Sequence, residues 1–296
     1  MGRSAGSLHG HTMDLNLEHL REWRGKTESN SDEVTPAPIA ALSATLDRGD
    51  RFPRPGDPLP PLWHWLYFLP MARQSELGPD GHARRGGFLP PVPLPRRMFA
   101  GDRVQFHRPL RVGEKISRIS SIVDVSHKQG RSGPLVFVLV RHEISDRQGV
   151  AVVEEHDIVY RDNPKPTDAA AAPQTPPAGA AWTRQIKPDA TLLFRYSALT
   201  FNGHRIHYDR PYATEVEGYP GLVVHGPLIA TLLLDLLRRN VADASVASLS
   251  FRAIRPLFDI APVSLCGKAS PDGKTAQLWA DDSEGWLAME ATLGLR

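Results

Sequence analysis

Apolar and polar positions alternate along two pairs of segments. Pro134 to Glu143 (PLVFVLVRHE) and Val150 to Val159 (VAVVEEHDIV) flank a polar turn at Asp146-Arg147-Gln148-Gly149. Ala276 to Ala280 and Trp286 to Leu293 repeat the arrangement across Asp281-Asp282-Ser283-Glu284-Gly285. β-Branched and aromatic runs parted by a short turn predict antiparallel hairpins, so the pattern predicts a meander of long strands in each half of the chain.

Helical patterns are few. Thr35-Pro36 reads as a cap and first-turn proline of a helix running to about Asp47, and Leu15 to Trp23 is a second candidate. The most apolar helix is Pro227 to Arg239, with Gly226 as its expected N-cap, Pro227 at the first helical position and Arg238-Arg239 complementing the dipole at its end. Leu228, Ile229, Leu232, Leu233, Leu236 and Leu237 cover most of its circumference. A helix apolar nearly all round must be buried on most sides, and a curved antiparallel sheet wrapped around it provides that environment. Leu62 to Leu69 (LWHWLYFL), ended by Pro70, reads as a degenerate counterpart in the first half, its aromatics core rather than a ligand cage.

Residues 163–181 (NPKPTDAAAAPQTPPAGAA) have no apolar periodicity and are rich in Pro and Ala, as a semi-rigid linker is. They divide the chain into an N-terminal repeat, 1–162, and a C-terminal repeat, 182–296. Each repeat carries Arg-Pro-Leu after an aromatic-led strand, Phe106 to Leu110 in one and Phe251 to Leu257 in the other, followed by β-branched segments at Ile116 to Val125 and Val263 to Lys268. A match of a few residues at equivalent points of two similar halves points to a duplicated fold.

The 296 residues suit two units of ordinary size, and 41% hydrophobic with 23% charged residues is globular composition. A net charge of +2 with short, scattered Arg pairs gives no basic face, so no nucleic-acid partner is expected. No apolar run is long enough to span a membrane. No basic segment followed by an apolar one suggests a secretory signal, and a cytoplasmic location is expected. Cys266 is the single cysteine, excludes an internal disulfide and reads as a small core residue. Met1 to Thr12, rich in Gly, Ser and His, is expected to be disordered.

Chemistry concentrates between Tyr196 and Leu228, YSALTFNGHRIHYDRPYATEVEGYPGLVVHGPL, where polar, glycine-broken sequence leads into the apolar helix. His204, His207 and His225 lack the companion acid or cysteine spacing of zinc motifs, so no metal is expected. Gly86-Gly87 is not followed by the Lys-Ser/Thr of a phosphate loop. Arg205 is a candidate partner for a carrier phosphate or a substrate carboxylate, and Arg96 and Arg97 are candidates for the phosphates of that carrier.

Asn202-Gly203-His204-Arg205-Ile206-His207 resembles the hydratase motif of R-specific enoyl-CoA hydratases and MaoC-like dehydratases, and Val223-Val224-His225-Gly226 resembles their entry into the central helix. Gly86 to Pro91 (GGFLPP) with Pro95 to Met98 (PRRM) resembles the N-terminal repeat of the mesaconyl-C4-CoA (3-methylfumaryl-CoA) hydratase branch. The resemblance implies an α+β, double hot-dog fold: two antiparallel sheets, each wrapped around a central helix, with the active site in the second repeat. It implies His207 as the principal proton carrier. Asn202 stands at the motif's aspartate position and Phe201 where a glycine is usual. Asparagine cannot act as a base, but its amide can hold a water. The Gly226 N–H, at a helix start, is the expected donor to the thioester oxygen, with His225 and Arg205 as further substrate contacts. The first repeat, without an Asn/Asp-x4-His motif, is expected to shape the acyl pocket.

The function expected is reversible hydration of a 2-enoyl-CoA, short, branched and dicarboxylic, such as mesaconyl-C4-CoA. The CoA thioester is substrate, no cofactor is required, and a homodimer is a possible assembly. A dehydratase of longer 3-hydroxyacyl-CoA or acyl-carrier-protein thioesters and a non-catalytic acyl-CoA binding module are the alternatives. A cation at the far end of the pocket would mark a dicarboxylic substrate, and an apolar tunnel a long one.

Overall fold

A computed structural model describes residues 15–130, 133–163 and 172–296. Residues 1–12, and 164–171 of the expected linker, lie outside the described residues. The hairpins are present. β4 (Gly133–Asp146) pairs with β5 (Gly149–Arg161), and β9 (Thr275–Asp281) with β10 (Leu287–Leu295).

Six further strands complete the sheet: β1 (Thr27–Glu33), β2 (Arg96–Phe106), β3 (Lys115–Gly130), β6 (Trp182–Ile186), β7 (Val246–Ala253) and β8 (Val263–Ala269). Their order is β1-β3-β4-β5-β2-β7-β10-β9-β8-β6, so the second five repeat the first five in mirror order about the β2/β7 seam. The two Arg-Pro-Leu passages directly follow β2 and β7, the two seam strands, which is the equivalence their spacing suggested. The halves were expected as two sheets and are continuous, because β2 and β7 pair antiparallel from Gly101↔Arg252 to Gln105↔Ser248. Gly101 permits this approach, since a Cβ there would lie 2.5 Å from the Phe251 carbonyl oxygen.

The apolar helix is α4 (Gly226–Asn240), packed on β6, β8, β9 and β10 with every residue from Leu228 to Leu237 buried. Its N-cap is His225, one residue before the glycine expected there, and Pro227 lies in its first turn. Asp235 is buried on this helix and sits among three guanidinium groups, with Arg48 Nη1 at 2.7 Å, Arg184 Nη1 at 2.8 Å and Arg239 Nε at 2.7 Å. A buried carboxylate requires such pairing.

In the first half, α1 (Leu17–Arg21) and α2 (Pro36–Thr45) match the two expected helices, but among the described residues no long helix lies inside the sheet. The Leu62 to Leu69 segment keeps one 3-10 turn, Trp63–Leu66, because Leu62 is left-handed (φ 69°) and Tyr67 extended. Trp63, Leu66, Tyr67 and Phe68 enter the main core, and Cys266 is buried in a smaller cluster with Trp279 and Leu287. One helix in the second half has no counterpart in the sequence reading: α3 (Ala190–Thr200), capped by the Asp189 carboxylate on the Leu192 N–H at 2.8 Å.

Candidate active site

Phe201, left-handed at φ 51°, ends α3 and turns the chain into the motif. The Asn202 side-chain oxygen accepts the His204 N–H at 3.0 Å, an Asx turn. A 3-10 turn, Arg205–His207, then drives His207 into the interior, 7% exposed. His207 Nδ1 lies 2.7 Å from the Val223 carbonyl oxygen. A carbonyl only accepts, so Nδ1 carries the proton and Nε2 keeps its lone pair. Burial lowers the His207 pKa to about 4, against the pull of that carbonyl.

His225 lies against it, the two rings stacked at 3.7 Å and 19°. His225 Nε2 meets Ser197 Oγ of α3 at 2.8 Å, Tyr196 packs edge-on at 5.1 Å, and the ring is 1% exposed. Gly226 begins α4 directly beyond, where the first-turn amides have no intrahelical acceptor. A side chain at this glycine would meet the Phe99 ring of β2 at 2.9 Å, so the first repeat closes over the helix start.

The first repeat also supplies a segment that sequence reasoning did not single out. Asp80 and His82 are bonded at 3.1 Å, and the His82 ring packs on His204 at 4.2 Å, which in turn meets His207 edge-on at 5.4 Å. Asp80 O accepts the Arg205 N–H at 2.9 Å. Gly81 (φ +87°) faces Gly203 so closely that a Cβ would lie 1.9 Å from the Gly203 oxygen. Burial, with the Arg97 charge adding to it, holds His82 and His204 below the ordinary histidine range, His204 at about 2.

Arg205 is engaged by Asp209 at 2.7 Å, by the Pro79 oxygen at 3.0 Å and by the Tyr212 ring at 4.2 Å. Arg96 reaches Glu217 O at 2.6 Å and Tyr219 Oη at 3.1 Å, bracing β2 against the 212–219 segment. Arg97, by contrast, forms no ion pair among the described residues. The structure therefore gathers Asn202, His207, His225 and Gly226 at one place, brings Arg97 to its margin, and commits Arg96 and Arg205 to intramolecular contacts.

A second polar cluster occupies the inner face of the first half. Glu154 accepts from Trp65 Nε1 at 2.9 Å and meets His64 Nε2 at 3.0 Å, while His156 lies 3.4 Å from Asp102 and 4.5 Å from the Phe99 ring. Burial works to lower the His156 pKa, but Asp102 and Glu154 carry it up to about 9. Burial and Glu154 push Asp102 upward, and neither of its oxygens has a partner of hydrogen-bond geometry among the described residues. Among the described residues Asp80/His82/His204 and Asp102/Glu154/His156 each bring three ionisable side chains within 4.8 Å of one another, the second with His156 held protonated by its two carboxylates. Both clusters join residues distant in sequence; the first is signalled only by the polar, glycine-broken run from Gly78 to Gly87, and the second by no local pattern.

A duplicated sheet around one buried helix, with a neutral histidine beside free helix-start amides, defines a double hot-dog hydro-lyase. The model of the type 2 hydroxyacyl-thioester dehydratase family matches residues 62–259, and the chain belongs to that family. It is 50% identical over 273 residues, 92% of this chain and 96% of the relative, to mesaconyl-C(4)-CoA hydratase of Chloroflexus aurantiacus. It is 29% identical to the mitochondrial type 2 hydroxyacyl-thioester dehydratase of Schizosaccharomyces pombe, over 75% of this chain and 80% of that one. Among solved structures, a MaoC-like dehydratase from Phytophthora capsici superposes with a TM-score of 0.69 at 13% identity (95% of this chain, 98% of that one). A double hot-dog protein of Mycobacterium tuberculosis superposes at 0.58 and 15% identity (92% and 96%). At those identities the structures speak for the fold, and the sequence relatives for the hydratase and dehydratase chemistry.

Proposed function

We propose that the chain reversibly hydrates mesaconyl-C4-CoA, a short branched dicarboxylic enoyl thioester, to citramalyl-CoA. The observation that carries this reading is half-identity across nearly the whole chain to a hydratase of that substrate. The side chains that the first repeat brings beside the motif support a short, polar acyl group. Trp65 and His64 reach from the 3-10 turn to Glu154 and occupy the inner face of the first half, where a long apolar chain would need an open tunnel.

In this reading water sits between His207 Nε2 and the Asn202 amide. His207 takes a proton from the water as its oxygen bonds to the β-carbon. The π electrons move toward the thioester, whose oxygen gains charge and is held by the Gly226 N–H. The His207 imidazolium then returns a proton to the α-carbon, restoring the neutral ring. His225, sealed beneath His207 and held by Ser197, fixes the ring plane as a positioning residue. The reaction moves one water and calls on no cofactor besides the substrate's own CoA. A cytoplasmic location and a homodimer belong to the same reading.

The test is the loss of enoyl-thioester absorbance with mesaconyl-C4-CoA and crotonyl-CoA, for wild type and His207→Ala. Wild type is expected to consume mesaconyl-C4-CoA preferentially, with a fall of at least about a hundredfold in the variant. No loss with either substrate, or equal rates for His207→Ala, would overturn the proposal.

A further inference from the structure

Resting on that substrate class, we infer that Arg97, with the Tyr160 hydroxyl beside it, binds the free carboxylate of the acyl group and so sets the preference for a dicarboxylic thioester.

Position comes first. In the β2/β5 register Arg97 faces Tyr160 and Phe99 faces Ile158, with no irregularity between them, so Arg97 and Phe99 project from the same side of β2. Phe99 lies against Gly226, the proposed donor to the thioester oxygen. Arg97 is therefore displaced along the strand by two residues, about 7 Å, from the residue that touches the reacting end. A four-carbon acyl chain with a carboxylate at its far end has a comparable span.

Charge comes second. Around this point stand Arg97, Arg85, Asp80, His82, His204 and Tyr160. Arg85 lies over the Tyr160 ring at 5.2 Å and donates to the Val92 oxygen at 2.6 Å, contacts that leave its charge uncancelled. Asp80 is bonded to His82. Both histidines are neutral at pH 7. The nearby Arg205 and Arg96 have their own carboxylates, Asp209 and Glu217. Two guanidinium groups against one carboxylate leave a single positive charge, which suits a monoanion.

An unsatisfied donor comes third. Tyr160 is fully buried and its hydroxyl has no acceptor among the described residues, while the Arg97 guanidinium approaches its oxygen and, with Arg85, opposes the rise in pKa that burial imposes. A buried hydroxyl without an acceptor is uncommon and marks a place where a ligand acceptor belongs. A carboxylate oxygen would accept from it while the other oxygen takes the guanidinium.

Steady-state hydration of mesaconyl-C4-CoA, and of crotonyl-CoA, which lacks the carboxylate, tests this with Arg97→Gln and Tyr160→Phe. Arg97→Gln is expected to lower kcat/KM about a hundredfold for mesaconyl-C4-CoA and to leave crotonyl-CoA within about threefold. Tyr160→Phe is expected to lower it about tenfold with the same selectivity. Equal losses on both substrates would overturn the inference and assign Arg97 to the CoA moiety that the substrates share. Should Arg97→Gln not fold, Arg97→Lys and Tyr160→Phe carry the same comparison. Wild type that hydrates crotonyl-CoA and ignores mesaconyl-C4-CoA would instead overturn the substrate assignment, and the carboxylate site with it. Wild type active on mesaconyl-C4-CoA with unselective variants would remove the carboxylate site alone.

Discussion

A histidine acts as a base only where it is unprotonated. An imidazole in water takes a proton near pH 6.5, whereas burial holds that of His207 back to about pH 4. Between those values the unfolded chain binds the proton and the folded chain does not. The stability linked to this group is therefore complete above about pH 6.5 and is lost as pH falls toward 4. Within the same window the folded enzyme keeps His207 unprotonated, as its proposed role as base requires. The pH profile of kcat/KM is expected to run level through pH 6.5 and to bend only near 4, or where acid unfolding intervenes. A bend at 6.5 would mean that water reaches His207 as it reaches a surface histidine. His156 runs in the opposite sense: raised to about 9 by Asp102 and Glu154 against desolvation, it contributes stability below pH 6.5 that fades as pH rises through 9. His207 was legible because its motif is contiguous. His156, Glu154 and Asp102 were not, because they belong to two strands, and their meeting depends on a register no local pattern encodes.

Elements that bury a face announce themselves, and those that pair through the backbone do not. α4 and the two long hairpins were read from their apolar positions. β1 (TESNSDE) has no apolar alternation and holds its edge position by antiparallel pairing with β3. β6 is a short edge strand on β8, and α3 sits where its polar neighbours dominate the sequence. The Leu62 to Leu69 segment has a helix's apolar content but is bounded by Pro60-Pro61 and Pro70, so one turn survives and its Trp and His side chains fill the space instead. The Gly78 to Arg84 segment illustrates how such irregular pieces serve a site, since its closest backbone approach to the motif depends on Gly81 and Gly203 having no side chains. Gly81→Ala would combine a left-handed backbone with a clash against a carbonyl, at a cost of about 1–3 kcal/mol. Displacing this segment by even about 1 Å is expected to lower kcat by tenfold or more. Activity and melting temperature measured together check this, and full activity would show that Asp80 and His82 need not touch the motif.

At the scale of the whole molecule, duplication was visible in the paired Arg-Pro-Leu passages, while the seam that fuses the halves into one sheet was not. Strand pairing across β2 and β7 is one connection between the halves, and the Asp235 cluster is another. Arg48 comes from the turn after α2 in the first half, Arg184 from β6 and Arg239 from α4 itself. Arg239 also donates to the Leu46 oxygen at 2.9 Å, and Arg238 lies over Trp63 at 5.2 Å, so the end of α4 is tied to the first half at several points. Because Asp235 is buried, salt screens these pairs poorly. Removing the carboxylate leaves Arg48 with Asp50 alone and takes from Arg184 and Arg239 their one carboxylate partner among the described residues. Asp235→Ala is expected to cost about 3–5 kcal/mol, the range for breaking a buried pair from one side, with little change when salt is raised. For a chain of this size that corresponds to a fall of roughly 10 °C in melting temperature. Thermal unfolding in low and high salt measures both. A fall of a degree or less, or one that vanishes with salt, would mean that the arginines relax into solvent and that the β2/β7 seam alone holds the halves together.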